Sequence, residues 1–371
     1  MRYKKINGGQ LRSSMRIAFI INHLGLTGVN NVVRDLVTVF IGHGHKCGVF
    51  WLKDYEQPIS FDCPTAKLSK VEQLCEYDLI HAHGLSPMLW LARHGKGVKN
   101  GNRRIPLVTT LHCYCFHDLP DLYGHVKGTM LGLLYIFLAR KFDKVVCLSK
   151  AMENYYARWI PRQRLSYVYN TRILPHPIPP VEQSMKDALL AFKGNSTLIG
   201  MNGVLIFRKG VDLMLDALAK LNSEGHNFRL VLAGDGKDRQ TFVHMAQQKG
   251  VADHVFFLGS VKDAWRLLPL YDIFALPSRS EGFPLALLEA CAVGKESVVS
   301  DLPIIKEGFV NHQDLEIFCL ADGADSLKET LIRASQSPID KEHIINTFNS
   351  KYSPDIFYQG YYNIYKEILN S

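Results

Sequence analysis

Short apolar runs rich in β-branched residues alternate along the chain with longer stretches of helical period, such as Val211–Leu221. Runs that are apolar on both faces and alternate with helices are typical of parallel sheets covered by helices. Twelve runs predict strands, at 16–22, 46–52, 77–84, 106–113, 144–149 and 165–170 in the first half and at 197–204, 229–235, 255–260, 272–278, 296–301 and 316–321 in the second.

A proline-rich segment, Leu174–Pro180, separates the two sets of strands, because it can continue neither a helix nor a central strand. Six strands on each side favour two doubly wound, Rossmann-like α/β domains over one. We predict a first domain at 15–178 and a second at 179–351. The stretch 352–371 has helical period and several aromatic residues, and we predict that it forms a helix that crosses back to the first domain.

The composition is that of a soluble globular protein, since 47% of the 371 residues are apolar and 21% are charged. No apolar run reaches the roughly 18 residues that would predict a membrane-spanning helix. Residues 1–14 are basic and lead into no signal-type apolar core, so we expect a disordered tail, or a translation start at Met15. Eight irregularly spaced cysteines indicate reduced thiols and a cytoplasmic location.

The net charge of +8 is unevenly distributed along the chain. The first 180 residues carry 24 Lys and Arg against 11 Asp and Glu, whereas the remainder carries 19 against 24. A basic half suggests that one domain faces a polyanion, either an anionic membrane surface or a nucleic acid. The alternative is that the uneven distribution has no functional meaning and only the average charge matters.

A turn with two glycines follows the first predicted strand. Gly25 and Gly28 permit close approach of the backbone, and the helix that follows begins with free N–H groups that suit a phosphate. An ordinary strand-to-helix turn is the alternative interpretation.

Histidines follow two other strands of the first half. His112 is placed to hydrogen-bond a polar ligand, with a satisfied core histidine as the alternative. A metal site is disfavoured, because Cys113 and Cys115 are separated by a single residue and no distant pair of ligands completes a site. From strand alternation we expect His81 to point into packed structure and His83 toward the opening, with no chemical role for either.

Two cations precede a helix in the second half. Arg208 and Lys209 come just before the helix that begins at Val211 and suit a diphosphate, with a solvated loop as the alternative. Ala233–Gly236 is a weak dinucleotide fingerprint, since Arg239 stands in the place of the third glycine, and a tight turn explains it.

The stretch Ser280–Ala290 places two glutamates in an apolar context. Pro284 suits the first turn of a helix that is apolar almost all round, so Glu289 needs a partner, and the hydroxyl groups of a ligand would serve. Glu281 lies in the loop before this helix, where its carboxylate suits sugar hydroxyls. Free N–H groups for a phosphate are expected in the segment formed by Gly282, Phe283, Pro284 and Leu285.

In these residues and their order, the chain resembles the retaining glycosyltransferases of the GT-B fold, in the large family 4 (glycosyl transferases group 1). The E-x(7)-E signature of that family matches Glu281 and Glu289. The resemblance covers Met15–Leu369 and implies two Rossmann-like domains that face a cleft. Further ordered matches are Thr27-Gly28, Asp78–Gly84, Val146–Lys150, Lys209–Asp212, Leu232–Gly236 and Phe257–Ser260.

The resemblance also implies a role for each candidate residue. Gly28 would let the backbone approach the donor phosphate, His112 would contact the transferred sugar, and Lys209 would hold the diphosphate. Glu281 and the amides after it would bind the sugar and the phosphate, and Glu289 would bind the ribose hydroxyls. The implied reaction moves a hexosyl or N-acetylhexosaminyl group with retention, without metal or cofactor, from a nucleotide-diphosphate sugar, with a UDP-sugar favoured.

The chain departs from the family pattern at two places. Val204 stands where an arginine that contacts phosphate is usual, so either Arg208 substitutes or donor binding loses about 1.5–3 kcal/mol. Gly294–Ser297 replaces a common Gly-x-Pro-Val turn, which we interpret as structural variation.

Acceptors in this family bind mainly to the first domain, which here is the basic one. The apolar run Lys127–Lys141 has cationic flanks, and we favour buried core over an interfacial helix. Basic clusters at 96–104 and 158–164 add surface charge. We expect a glycan or lipid-linked acceptor in bacterial surface polysaccharide or lipopolysaccharide synthesis, peripheral contact with the inner face of an anionic membrane, and no nucleic-acid partner.

Two other classes of function remain open from the sequence. A catalytically weak or inactive GT-B subunit that binds a glycan or a partner enzyme would explain Val204. A sugar-nucleotide epimerase on the same fold is a weaker alternative. A nicotinamide enzyme is disfavoured, because a full glycine fingerprint is missing.

Overall fold

The computed structural model describes residues 14–55, 59–95 and 97–370, which divide into two compact units. The first unit contains the described residues up to Thr171 together with those from Pro354 onward, and the second unit is Arg172–Ser353. The predicted tail at 1–14 lies outside the described residues except for Ser14.

The first unit is built on a parallel sheet, of which seven strands lie in the described residues, in the order β3–β2–β1–β4–β7–β8–β9. A small antiparallel pair, β5 and β6, lies apart from it. The strands are β1 (Arg16–His23), β2 (Lys46–Lys53), β3 (Thr65–Lys67), β4 (Leu79–His83), β5 (Lys99–Asn100), β6 (Arg103–Arg104), β7 (Leu107–Thr110), β8 (Lys144–Cys147) and β9 (Leu165–Tyr167). The helices are α1 (Gly28–Gly42), α2 (Leu85–His94), α3 (Cys115–Tyr123), α4 (His125–Ala139) and α5 (Lys150–Tyr156).

The second unit, which is described without a gap, has a parallel sheet of six strands in the order β12–β11–β10–β13–β14–β15. Its strands are β10 (Thr197–Asn202), β11 (Phe228–Ala233), β12 (Val255–Gly259), β13 (Ile273–Leu276), β14 (Ser297–Ser300) and β15 (Glu316–Phe318). Its helices are α6 (Gln183–Lys193), α7 (Val211–Ser223), α8 (Arg239–Gln248), α9 (Leu285–Ala292), α10 (Pro303–Gly308), α11 (Gly323–Gln336) and α12 (Lys341–Tyr352).

The twelve predicted strands and the two-domain α/β fold class are confirmed. Central strands such as β4, β7 and β13 are buried at every residue, because helices cover both faces of a parallel sheet. The sequence did not predict β3, β5 and β6, whose two or three residues are mostly exposed and carry no apolar alternation. Among the described residues, no helix combines the length and apolar character needed to cross a bilayer.

A last helix, α13 (Pro354–Asn370), returns the chain to the first unit. Its tyrosines form hydrogen bonds with residues of that unit. The hydroxyl of Tyr365 lies 2.6 Å from Nδ1 of His81, and that of Tyr361 lies 3.1 Å from Oγ1 of Thr110. Tyr358 bonds Nε2 of His45 at 2.9 Å. The helix thus completes the core of the first unit through hydrogen bonds that apolar residues could not make.

We expect Tyr365→Phe to destabilise the protein by about 1–3 kcal/mol, because it leaves the buried Nδ1 of His81 without its partner. The thermal midpoint of the full chain should fall by several degrees. Tyr123→Phe is the matched control, since Tyr123 is 52% exposed and the same change there should shift the midpoint by little. Equal midpoints for the two variants would contradict the proposed role of α13.

Candidate functional site

Each sheet has one topological switch point, where strand order reverses. In the first unit β1 lies between β2 and β4, and in the second unit β10 lies between β11 and β13. Ligands of doubly wound sheets bind outside the carboxyl ends of the strands at such points. The candidate residues follow strands of these two sheets: Gly28 after β1, His112 after β7, Lys209 after β10 and Glu281 after β13.

A buried ion pair joins the two loops at the switch point of the second unit. Nζ of Lys209 lies 2.6 Å from Oε1 of Glu281, and the same oxygen accepts a hydrogen bond from Oγ of Ser278 at 2.6 Å. Glu281 is only 7% exposed. Two residues that the sequence assigned separately, one to a diphosphate and one to a sugar, are therefore direct partners.

Burial by itself would raise the pKa of Glu281, but the charge of Lys209 and the hydrogen bonds from Lys209 and Ser278 outweigh it. The net effect holds the pKa of this carboxyl below its usual value. The site therefore keeps a carboxylate, an acceptor of hydrogen bonds, beside an ammonium group at neutral pH.

Several further contacts fasten the loop 277–281 to the turn 207–212. Gly210 has φ +73°, and a Cβ there would lie 1.9 Å from the carbonyl oxygen of Pro277. Arg279 forms a two-pronged pair with Asp212, with N–O distances of 2.8 and 2.7 Å, and its N–H donates to the carbonyl of Arg208 at 2.8 Å. These contacts fix the backbone on which Lys209 and Glu281 meet.

Arg208 is held in the same assembly. Its Nη1 donates to the carbonyl oxygen of Ser280 at 3.0 Å, and its charge contributes to the lowered pKa of Glu281. Val204 is 53% exposed and lines a small cavity together with Lys209. The position at which an arginine was expected thus borders the lysine, while Arg208 bonds the neighbouring loop.

The partner that Glu289 was expected to need lies within the protein, where the sequence had suggested the hydroxyl groups of a ligand. Oε1 of Glu289 accepts from Nε of Arg172 at 2.9 Å, and both side chains are largely buried. The sequence reasoning missed Arg172, because a single arginine beside a proline-rich segment carries no motif. The positive charge of Arg172 makes the carboxylate of Glu289 tolerable in the apolar helix α9.

The segment between the two glutamates forms the start of α9. Phe283 packs its ring edge-on against Tyr352, with centroids 5.6 Å apart, and Pro284 is the cap residue that precedes Leu285. Pro284 has no N–H, so the expected set of donors is smaller by one than the sequence reasoning assumed. The N–H groups of Leu287 and Leu288 bond the carbonyl of Pro284, at 3.1 and 3.2 Å. The two N–H groups before them, at the start of α9, remain suited to an anion.

The two glycines of Ala233–Gly236 permit a close approach between backbone segments. A Cβ on Gly234 would lie 1.7 Å from the carbonyl oxygen of Gly203, and one on Gly236 would lie 2.4 Å from that of Leu205. These glycines let the end of β11 pack against the loop that carries Val204.

In the first unit, the turn after β1 is held by its own polar side chains. Thr27 caps α1 by accepting from the N–H of Asn30 at 3.2 Å, and Nδ2 of Asn30 bonds the carbonyls of His23 and Gly25, each at 2.7 Å. Gly28 is the exposed first residue of α1. The turn thus leaves the first residue of α1 accessible to solvent.

His81 and His83 share one face of β4, so the expectation that they point in different directions is wrong. Residues two apart on a strand lie on the same face, and their ring centroids are 4.1 Å apart. Nδ1 of His83 lies 3.0 Å from Nε2 of His112. Burial lowers the pKa of His112 to about 4, so its imidazole is neutral at pH 7.

The stretch His112–His117 forms no metal cluster in the part of the chain that the structure describes, where no group of three or more His, Cys, Asp or Glu is arranged to hold an ion. Tyr156 holds the backbone of the two cysteines: its hydroxyl donates to the carbonyl of Cys113 at 2.5 Å and accepts from the backbone nitrogen of Cys115 at 3.2 Å.

Helix α4 exposes an apolar face, which corrects the interpretation of this run as buried core. A Cβ on Gly128 would lie 2.4 Å from Pro120, and one on Gly132 would lie 2.7 Å from Phe116, so these glycines let α3 pack closely on one side. The other side is solvent-facing, with 57–79% exposure at residues spaced as one helical stripe: Val126, Met130, Leu133 and Phe137.

Two family models match the chain in succession. Glycosyltransferase Family 4 matches residues 26–171, and Glycosyl transferases group 1 matches residues 184–350. The O-antigen biosynthesis glycosyltransferase WclY of Escherichia coli is 27% identical over 371 residues, which cover 96% of this chain and 100% of that protein.

Solved structures share the fold at lower identity. Sucrose-phosphate synthase from Thermosynechococcus elongatus has a TM-score of 0.77 at 17% identity and covers 96% of this chain and 99% of its own. HepE of Anabaena, in complex with UDP and glucose, has a TM-score of 0.75 at 18% identity and covers 95% and 100%. The chain therefore belongs to family 4 of the glycosyltransferases and has the GT-B fold.

Proposed function

We propose that this glycosyltransferase moves a hexosyl or N-acetylhexosaminyl group, with retention of configuration, from a nucleotide-diphosphate sugar to a glycan or lipid-linked acceptor in bacterial surface polysaccharide or lipopolysaccharide synthesis. The observation that carries the proposal is the Lys209–Glu281 pair beside the start of α9. The name of WclY, an O-antigen glycosyltransferase, supports the class of product, and the UDP held by HepE supports a UDP-sugar as donor.

The second unit binds the donor through a carboxylate at each of its two ends and a cation at the diphosphate between them. Lys209 contacts the diphosphate, and the first N–H groups of α9 add positive potential to the same oxygens. Glu281 accepts hydrogen bonds from the sugar, while Glu289, held by Arg172, accepts them from the ribose. Before the donor arrives, Glu281 compensates the charge of Lys209, so the empty site is stable.

Catalysis stabilises the departing nucleotide diphosphate, on which negative charge builds up as the sugar leaves. Lys209 and the start of α9 supply that stabilisation, and for this reason we propose transfer that needs no metal or cofactor. His112, neutral at pH 7, hydrogen-bonds the sugar that is being transferred. A hydroxyl of the acceptor then attacks from the face that the leaving group vacates and forms the new glycosidic bond, while its proton passes to the departing phosphate oxygen.

The first unit meets an anionic membrane through the exposed stripe of α4. Cations surround its apolar residues: Nζ of Lys141 lies 4.2 Å from the ring centroid of Phe137, and Nη1 of Arg164 bonds the carbonyl of Arg140 at 2.5 Å. A groove of about 390 Å³ lies along the stripe and shares residues with it. The groove is lined by Phe116, Leu133, Ile136, Phe137, Arg140, Lys141 and Trp159. Apolar groups flanked by cations suit the boundary between acyl chains and anionic headgroups.

Such a surface would bring the enzyme to a lipid-linked acceptor at the inner face of the membrane. The eight cysteines are all free thiols, which supports a reducing, cytoplasmic location.

Lys209→Met should weaken UDP binding, measured by calorimetry, about 10- to 150-fold, because a charge-assisted contact worth about 1.5–3 kcal/mol is lost. The same variant should unfold at lower temperature, since Glu281 stays buried without its cation.

The double variant Lys209→Met/Glu281→Gln separates the two effects. It removes the unpaired charge and should recover stability, but it should not recover UDP binding. If UDP binding returned together with stability, Lys209 would have a structural role only. Undiminished UDP binding in Lys209→Met would likewise favour the alternative of a subunit without a donor site.

Sedimentation with vesicles tests the membrane surface. The full chain should bind vesicles that contain phosphatidylglycerol and bind pure phosphatidylcholine vesicles more weakly, with a difference that shrinks at high salt. Leu133→Ser should weaken binding to anionic vesicles about tenfold, because a leucine contributes about 1.5 kcal/mol on entering lipid.

Leu190→Ser is the matched control for this experiment. Leu190 is 45% exposed and lies on α6 of the second unit, so the same chemical change should leave vesicle binding unaltered. Equal losses in both variants, or equal binding to both vesicle types, would refute the assignment of this surface.

A further inference from the structure

His83 and His112 meet at the carboxyl ends of neighbouring parallel strands. His83 is the last residue of β4, and His112 follows β7, whose Thr110 is in register with His83. Nδ1 of His83 and Nε2 of His112 are 3.0 Å apart, within hydrogen-bond distance. Nε2 of His112 is therefore engaged in a hydrogen bond within the protein, and Nδ1 is the nitrogen that can hydrogen-bond a substrate.

The hydrogen bond ties the proton positions of the two rings together. Burial lowers the pKa of both histidines, so each imidazole is neutral at pH 7 and carries one N–H. If His83 holds its proton on Nδ1, it donates, and His112 must hold its own on Nδ1. If His83 holds its proton on Nε2, it accepts, and His112 must hold its own on Nε2.

The surroundings of His83 decide between these two states. Its ring is 1% exposed, and its Nε2 has no hydrogen-bond partner in the part of the chain that the structure describes. A proton on Nε2 would be a buried N–H without an acceptor, and such orphaned donors are rare in folded proteins. A proton on Nδ1 avoids this, because that N–H donates a hydrogen bond to His112.

The neighbouring His81 shows the contrast. Both of its nitrogens face hydroxyl groups, Nδ1 that of Tyr365 at 2.6 Å and Nε2 that of Thr110 at 2.8 Å. A hydroxyl can donate or accept, so either tautomer of His81 is satisfied. The restriction is therefore a property of His83 and not of the whole cluster.

We infer that His83 is a positioning residue: its Nδ1–H donates to Nε2 of His112 and so fixes His112 as the Nδ1–H tautomer, which offers that N–H to the substrate. This inference rests on the proposed function for the part that concerns the substrate. The tautomer itself is a property of the protein without ligand.

Long-range proton–nitrogen NMR correlation of the full chain, labelled with ¹⁵N-histidine and free of ligand, tests the tautomer directly. The signals of His112, assigned with His112→Ala, should show Nδ1 protonated and Nε2 unprotonated. His83→Asn, whose side-chain amide can donate from a similar position, should keep this pattern. His83→Leu should lose it and show both tautomers or Nε2–H.

His81→Gln is the control, since it perturbs the same buried cluster without touching the bond to His112, and it should leave the His112 pattern unchanged. Protonated Nε2 in the unaltered protein would overturn the inference, even if His83→Leu failed to fold. A His112 pattern that is the same in His83→Leu would also overturn it.

Turnover separates this inference from the proposed function. With UDP-glucose as probe, the rate of UDP release at saturation should fall at least about tenfold in His83→Leu, with UDP affinity unchanged, since small misplacement of a reacting group can cost up to about 100-fold. Partial recovery in His83→Asn would support positioning through the hydrogen bond. Full activity in His112→Ala would refute the role proposed for His112 while leaving the NMR result valid.

Discussion

The ion pair between Lys209 and Glu281 is the interaction on which the proposed donor site depends. A carboxylate that is 7% exposed is tolerable only with a close cation, and Lys209 supplies one at 2.6 Å. The pair forms because Gly210 lets its turn approach Pro277, and because Arg279 binds Asp212 from the facing loop. The packing that permits the pair thus also fixes the cation for which we propose contact with a diphosphate.

A common rule places the polar groups of both units. In each sheet the candidate residues lie just beyond the carboxyl ends of the strands, and the strands themselves are apolar and buried. The two glutamates of the candidate site are each held by a cation, Glu281 by Lys209 and Glu289 by Arg172. In the first unit the corresponding groups are neutral histidines, which burial keeps uncharged.

Local pattern was enough to predict twelve strands, because buried parallel strands give an apolar pattern within a few residues. It also singled out Lys209 and Glu281 as candidate residues, which the structure brings together. Contacts between distant residues give no local sequence pattern, so the Lys209–Glu281 and Arg172–Glu289 pairs became evident only from the structure. The exposed face of α4 was missed, although Gly128 and Gly132 mark the side that α3 covers. The opposed directions predicted for His81 and His83 were an error in applying strand geometry.

The central claim is that the second unit recognises a nucleotide by its diphosphate. Calorimetry of the full chain against the diphosphate, monophosphate and free nucleoside of uridine, guanosine and adenosine measures this directly. For the base that binds, the account predicts that the diphosphate binds at least about tenfold more tightly than the monophosphate, since each charge-assisted contact contributes about 1.5–3 kcal/mol. Binding of no diphosphate, or of the nucleoside as tightly as the diphosphate, would contradict it.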